Sequence, residues 1–275
     1  MKLGAALMQA QAVLAADSDS PRLDAELLLG HVLALSRAQL FSRLHDELPA
    51  ADLARFEPLV QRRRRGEPVA YLTGSQGFWS LTLEITPAVL VPRPETELLV
   101  DCALERLPAE RALDVADLGT GSGAIALALA AERPRARVVA TDVSPEALAV
   151  ARRNALQAGL RIDFREGSWW LPLAGRQFDL VVSNPPYIAR GDPHLDALRH
   201  EPLLALTDGA DGLQALREIV AGAPAQLRDG GWLLVEHGYD QGEAVRGLFA
   251  AAGFGDIATR RDLEGRERIS GGCRR

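Results

Sequence analysis

Apolar positions recur at helical spacing through residues 1–75, and at strand spacing in alternation with helical stretches thereafter. Leu3, Leu7, Ala10 and Leu14 fall on one stripe, and Gln9 and Gln11 interrupt the apolar run. That pattern predicts an amphipathic core helix rather than a signal peptide, despite Lys2 ahead of an apolar run ending at Ala16. Ser20-Pro21 reads as an N-cap followed by proline at the first helical position, with Leu23, Leu27 and Leu28 on the apolar face. Ser36 caps a third, short helix. Pro49 to Arg65 predicts a fourth, with Leu53, Phe56, Leu59 and Val60 inward.

The pattern changes over 76–92. Leu81, Leu83 and Ile85 alternate with polar residues until Pro87 breaks the run, which predicts a β-hairpin linker. Pro92-Arg93-Pro94 then leads into a helix from about Glu95 to Leu107, its early glutamates complementing the helix dipole. From residue 112 onward, short apolar strands are expected at 113–118, 138–141, 178–183 and 232–235. Helices are expected around 123–132, 144–158, 212–226 and 240–252. Strands alternating with helices predict an α/β, doubly wound sheet covered on both faces. The expected organisation is a helical domain over 1–75, the hairpin linker over 76–92, and the α/β domain over 93–275.

Composition narrows the function classes. The chain has 275 residues and a net charge of −6. Basic and acidic residues balance at nine each in 1–76, so the whole negative charge sits in the C-terminal part. An acidic α/β part argues against binding nucleic acid mainly through phosphates. The run Arg62 to Arg65 reads as a solvated helix end complementing the dipole, in preference to an RNA contact. Two cysteines, Cys102 and Cys273, and five histidines form no metal or disulfide pattern, which places the chain in a reducing, cytoplasmic setting. No segment is long and apolar enough for a membrane span, so no membrane partner is expected.

Three features carry chemistry. Asp117-Leu118-Gly119-Thr120-Gly121-Ser122-Gly123 follows a strand and opens a helix, where glycines let the backbone approach a nucleoside cofactor. Its spacing is not the dinucleotide fingerprint, so no pyrophosphate is implied. Asp142 closes the next strand, where a carboxylate can accept from both hydroxyls of a ribose. That geometry serves NAD and S-adenosylmethionine alike. Asn184-Pro185-Pro186-Tyr187 follows the strand 178–183. An amide or arylamine nitrogen is a poor nucleophile because its lone pair is delocalised. The Asn184 side-chain oxygen and the Pro185 carbonyl can hold its N–H groups and aim the lone pair. Consecutive prolines stiffen the backbone and offer no competing donor. The Tyr187 ring can stack on a planar substrate group. The stretch 188–211 lacks periodicity and is expected to be mobile beside the substrate entrance.

With these motifs in order, the chain resembles the release factor glutamine methyltransferases, the HemK/PrmC family. The resemblance spans nearly the whole chain. It includes Val91-Pro92-Arg93-Pro94-Glu95-Thr96-Glu97, Glu201-Pro202, Asp211-Gly212-Leu213 and Glu236-His237-Gly238. It implies a Rossmann-like, seven-stranded class I methyltransferase domain behind a small helical bundle that recognises substrate. It also implies S-adenosylmethionine as cofactor, S-adenosylhomocysteine as product, and methylation of the glutamine N5 in the Gly-Gly-Gln motif of peptide chain release factors. By the same resemblance, Asp117, Leu118, Gly119, Thr120, Gly121, Asp142, Trp169 and Asn184 bind cofactor, and Asn184, Pro185, Pro186 and Tyr187 hold the substrate amide. Arg93, Glu95 and Glu97 lie on the cofactor side, no metal is needed, and the chain acts as a monomer. The tetrapeptide is shared with enzymes acting on bases, so an N-methyltransferase for an exocyclic amine of a nucleic-acid base is the alternative. A nicotinamide oxidoreductase would leave the tetrapeptide without a role, and a catalytically dead binding protein would not need an intact Asn184. The ending Ser270 to Arg275 lacks the aromatic finish of many relatives, which leaves the last strand's boundary open.

Overall fold

The computed structural model describes all residues, 1–275. The chain forms two compact units, Met1–Ser75 and Gln76–Arg275.

The first unit holds five helices: α1 Leu3–Leu14, α2 Pro21–Leu33, α3 Arg37–Ser42, α4 Ala50–Arg64 and α5 Val69–Thr73. Leu3, Ala6, Ala10 and Leu14 of α1 pack with Phe56 and Val60 of α4 in its core. Ser36 caps α3 in a reciprocal box, accepting from Gln39 N at 3.3 Å while its own N–H donates to Gln39 Oε1 at 2.9 Å. Ser20 makes no side-chain cap. Its hydroxyl donates to Asp24 at 3.3 Å instead. The expected face of α2 is also rotated: Ala25, Leu28, Leu29 and Val32 are buried, while Leu23 and Leu27 are exposed. Two buried carboxylates turn the helix this way. Arg63 donates to Asp24 at 2.6 Å, and Glu26 accepts from Arg22 at 2.8 Å and from Arg37 at 2.7 Å. Arg62 pairs with Glu67, and Arg64 with Asp17 at 3.7 Å, so the arginine run is engaged within this unit.

The second unit opens with a hairpin, β1 Ser75–Phe78 and β2 Leu81–Glu84. This hairpin is held against the α/β unit. Trp79 N and its indole N–H donate to Glu97 and Glu132, at 2.7 and 2.8 Å. The N–H of Glu84 donates to Asn154 at 2.6 Å. A short 3-10 turn, Pro94–Thr96, then starts α6 Glu97–Leu104. The sequence continues β3 Asp114–Leu118, α7 Ala124–Glu132, β4 Arg137–Asp142, α8 Pro145–Ala158, β5 Asp163–Glu166 and β6 Phe178–Ser183. It closes with α9 His194–Ala197, α10 Leu203–Leu206, α11 Gln214–Gln226, β7 Leu227–Glu236, α12 Gly242–Ala251, β8 Gly255–Arg261 and β9 Glu267–Cys273.

Seven strands form one sheet in the order β5-β4-β3-β6-β7-β9-β8. The strands from β5 to β7 run parallel, and β9 is antiparallel to both neighbours. Strand order reverses between β3 and β6, which opens a crevice at their C-terminal ends. Leu118 is in register with Thr141 on one side and Ser183 on the other, so the loops after β3, β4 and β6 emerge side by side. Ser183 Oγ donates to Leu118 O at 2.7 Å and ties two of those exits together.

The terminal strand is defined by close approach. A side-chain carbon on Gly271 would collide with Leu234 and lie 2.9 Å from Leu233 O. One on Gly272 would lie 2.9 Å from both Phe249 and Phe254. Gly271→Val should therefore force β9 off β7 and cost about 1–3 kcal/mol. Urea unfolding monitored by fluorescence checks this, and an unchanged midpoint would refute it.

Candidate functional site

A cavity of about 410 Å³ occupies the crevice at the switch point. Its walls come from four directions. Gly119, Thr120 and Gly121 form the floor, Asp142 and Trp169 one side, Asn184 and Pro186 another, and Leu204, Thr207 and Glu218 the outer wall.

The glycine loop is shaped by the strand beside it. Gly119 N and Thr120 N both donate to Thr141 O at 2.9 Å. Gly121 sits at φ +56°, and a side-chain carbon there would meet no protein atom within 4 Å. The position faces open cavity in a conformation that glycine alone adopts freely. Gly121 N donates to Asp142 Oδ2 at 2.8 Å, and Ser144 N to Oδ1 at 2.9 Å. Each carboxylate oxygen keeps a further lone pair for a ligand hydroxyl. Burial raises the Asp142 pKa, opposed by these backbone donors.

Two of the expected cofactor residues stand behind the wall and not in it. Asp117 and Leu118 are fully buried. Thr120 Oγ1 donates to Asp117 Oδ2 at 2.6 Å, which fixes the loop from beneath. Asp117 Oδ1 has no partner. Burial pushes the Asp117 carboxyl up to about 7, and the Asp142 charge adds to the effect. Trp169 lies against Gly119, whose missing side chain leaves room for the ring: a carbon there would come within 3.1 Å of it. The Trp169 backbone is held at φ 42°, a left-handed conformation that no sequence signal announced.

In the tetrapeptide, Asn184 and Pro186 face the cavity while Pro185 is buried behind them. Asn184 Nδ2 donates to Thr96 Oγ1 at 3.1 Å. With its donor side engaged there, Asn184 Oδ1 is left as the acceptor. Tyr187 does not line the cavity. Its hydroxyl donates to Glu236 Oε1 at 3.2 Å, and burial followed by the Glu236 charge holds that hydroxyl's pKa above its ordinary range.

The segment after the tetrapeptide is held to its surroundings at several points. Ile188 N donates to Leu206 O at 3.0 Å and Arg190 N to Ala210 O at 2.8 Å. The buried Glu201 accepts from Val91 N at 3.0 Å and pairs with Arg93. Gln241 Nε2 bridges Tyr187 O and Gly212 O at 3.0 and 3.1 Å. Gly212, at φ +79°, has no room for a side chain because Tyr187 O occupies that space. These contacts account for the Glu201-Pro202 and Asp211-Gly212-Leu213 motifs as closures of the site.

Among the charged residues of the 93–97 segment, only Arg93 reaches the cavity. Glu97 serves the hairpin through Trp79 N, and Glu95 is exposed. The residue of this segment at the tetrapeptide is Thr96, which charge and periodicity did not single out. The 3-10 turn rotates it inward.

Comparison with known proteins agrees over both units. The family model described as the PrmC N-terminal domain matches residues 5–74, and that of the Methyltransferase small domain matches residues 95–201. The chain is 56% identical to the release factor glutamine methyltransferase of Xylella fastidiosa, covering 91% of this chain and 92% of that protein. It is 52% identical to the protein of the same name from Pseudomonas aeruginosa, covering 92% and 93%. Among solved structures, the 16S rRNA N2 G1207 methyltransferase of T. Thermophilus, in complex with AdoMet and guanosine, is 22% identical with a TM-score of 0.56. It covers 73% of this chain and 50% of that one, a likeness of fold alone.

Proposed function

The chain belongs to the release factor glutamine methyltransferases, and from that premise we propose how its residues carry the reaction. The enzyme transfers a methyl group from S-adenosylmethionine to the side-chain nitrogen N5 of the glutamine in the Gly-Gly-Gln motif of peptide chain release factors. The family's match over nine-tenths of the chain disfavours a nucleic-acid base, which the tetrapeptide alone left open.

The cavity suits the cofactor. Asp142 carries free lone pairs at the position where ribose hydroxyls would donate, and Gly121 leaves the floor open. When bound, S-adenosylmethionine supplies a methyl group on a cationic sulfur, so that attack by nitrogen breaks the carbon–sulfur bond and leaves S-adenosylhomocysteine.

The protein's task is to present a weak nucleophile in the right direction. Asn184 Oδ1 and the Pro185 carbonyl each accept one N–H of the glutamine amide, which turns the nitrogen lone pair toward the methyl group. Prolines 185 and 186 keep those acceptors stiff and contribute no competing N–H. No strong general base is required, because the N-methylated amide cation is acidic enough to release its proton to solvent. Trp169 packs beside the adenine, and Tyr187 acts from behind the tetrapeptide through Glu236 more than by stacking on substrate. The observation that carries this reading is Asn184 in the cavity wall, its Nδ2 donating to Thr96 and its oxygen left free to accept.

The N-terminal unit provides recognition of the release factor, with Met8, Leu23, Leu27 and Phe41 as its exposed apolar contacts. The enzyme acts as a monomer in the cytoplasm and takes no nucleic acid as direct substrate. The net charge of −6 supports the exclusion of nucleic acid, and the two free cysteines support the compartment. Incubating a purified release factor with enzyme and S-adenosylmethionine should add one methyl group at the glutamine of its Gly-Gly-Gln motif, read by mass spectrometry. Methylation of DNA or RNA in place of release factor would overturn the reading.

A further inference from the structure

Trp170 lines no part of the cavity, although its neighbour Trp169 does. The two rings go to different places. Trp169 lies against Gly119 in the cavity floor, where a side-chain carbon would come within 3.1 Å of its ring. Trp170 packs instead on the core cluster that includes Leu216, Ile219 and Val220 of α11. Its indole N–H donates to Ile219 O at 3.2 Å. The ring also sits over Gly222, where a side-chain carbon would fall 2.4 Å from both Cδ1 and Nε1 of Trp170.

A glycine inside a helix weakens it relative to alanine. Gly222 nevertheless stands in the interior of α11, Gln214–Gln226. At 2.4 Å no side chain can share that space with the Trp170 ring, so the glycine makes a notch that receives it. The helix that carries the notch also lines the cavity, through Gln214, Ala215 and Glu218. Glu218 lies one helical turn before Gly222.

Trp169 needs such an anchor. Its φ of 42° is left-handed, a conformation in which a bulky side chain crowds its own backbone. Strain of this kind persists only where the surrounding contacts over-determine it. One contact is made by Trp169 itself, whose carbonyl accepts from Thr141 Oγ1 at 3.4 Å. That bond is long and holds one end of the residue. The next residue supplies the stronger hold. With the Trp170 ring seated on α11, the backbone after Trp169 has a fixed direction. The left-handed turn reconciles that direction with a ring over Gly119.

We propose that Trp170, seated in the notch at Gly222, is a positioning residue that holds the Trp169 ring in place for the cofactor adenine. This inference rests on the reading of Trp169 as the residue beside the adenine. Released from α11, Trp169 relaxes to an unstrained backbone conformation and its ring leaves the Gly119 floor. The cofactor then meets a protein whose competent arrangement is only one of several, and apparent affinity falls with the population of that arrangement. Asp142 and the tetrapeptide are untouched, so the turnover of bound cofactor is preserved.

The test combines calorimetry with S-adenosylmethionine, kcat at saturating cofactor, and melting temperature. Gly222→Ala fills the notch and keeps both tryptophans. It should raise the dissociation constant about tenfold, with kcat at saturating cofactor near wild type. Trp170→Ala empties the notch and should do the same. Trp170→Phe keeps a ring over Gly222 and should recover most of the affinity. Trp169→Ala removes the adenine contact itself and should raise the dissociation constant about tenfold or more, the value of one aromatic stack on a base. In that background, Gly222→Ala and Trp170→Ala should each add less than about twofold, because nothing is left to position. Gly222→Ala deletes no side chain, so the coupling is read even if Trp170→Ala melts early. The proposal is overturned if Gly222→Ala binds cofactor like wild type, or if its effect and that of Trp169→Ala multiply in full. An unchanged dissociation constant in Trp169→Ala would remove Trp169 from the adenine site, and this proposal with it. An impaired Trp169→Ala beside an unaffected Gly222→Ala would sink the proposal alone.

Discussion

Asn184→Ala is expected to lower kcat by about a hundredfold to a thousandfold, the usual cost of deleting one preorganised polar group at a reacting centre. The substitution removes the acceptor that aligns the substrate nitrogen, and leaves the Thr96 hydroxyl without its donor. It does not touch the glycine loop or Asp142, which meet each other through the Gly121 N–H. Binding of S-adenosylmethionine, measured by calorimetry, should therefore stay close to wild type while methylation of the release factor collapses. A parallel loss of cofactor affinity would mean that Asn184 serves binding and not alignment.

The second large effect is expected at Asp142, where the balance is reversed. Asp142→Ala removes a carboxylate that organises the loop through two backbone donors and keeps lone pairs for ribose hydroxyls. Two charge-assisted hydrogen bonds of about 1.5–3 kcal/mol each would be lost. Allowing for incomplete additivity, the dissociation constant for S-adenosylmethionine should rise by about a hundredfold or more. At saturating cofactor, kcat should recover much of its value, because the tetrapeptide is intact. An unchanged dissociation constant would show that the ribose is held elsewhere. Together the two variants divide the cavity into a part that holds the cofactor and a part that aims the nitrogen.

Much of this architecture was legible in the chain because its signals are local. The strand 178–183 was read with both boundaries as observed, since Phe178, Leu180, Val181 and Val182 form a short apolar run stopped by Asn-Pro. The helices α7 and α8 follow from a glycine turn and from Ser144 before Pro145, whose hydroxyl accepts from Ala147 N at 3.1 Å. The strand β5 escaped because it is an edge strand of sequence Asp-Phe-Arg-Glu with no buried residue, so it carries no apolar pattern. In β9, glycines at 271 and 272 stand where a strand signal would require bulk, because neighbouring side chains press against the backbone. The face of α2 was misread for a related reason: buried Asp24 and Glu26 find arginine partners on α4 and α3, and no single-helix pattern records a partner on another helix.

The site divides in the same way. By itself, the sequence determined the chemistry available: a glycine loop, an acid closing the next strand, and Asn184-Pro185-Pro186-Tyr187 after β6. It also determined their common edge, because in a parallel sheet the loops that follow successive strands emerge together. Only the tertiary structure decided which of those residues face the cavity and which support it. Asp117 and Leu118 lie beneath the loop, Glu97 serves the hairpin, and Tyr187 points back to Glu236. The tertiary structure alone also brought Thr96 against Asn184, 88 positions away in the chain. An amide's orientation depends on which group stands beside it in space, and local sequence pattern does not encode that neighbour.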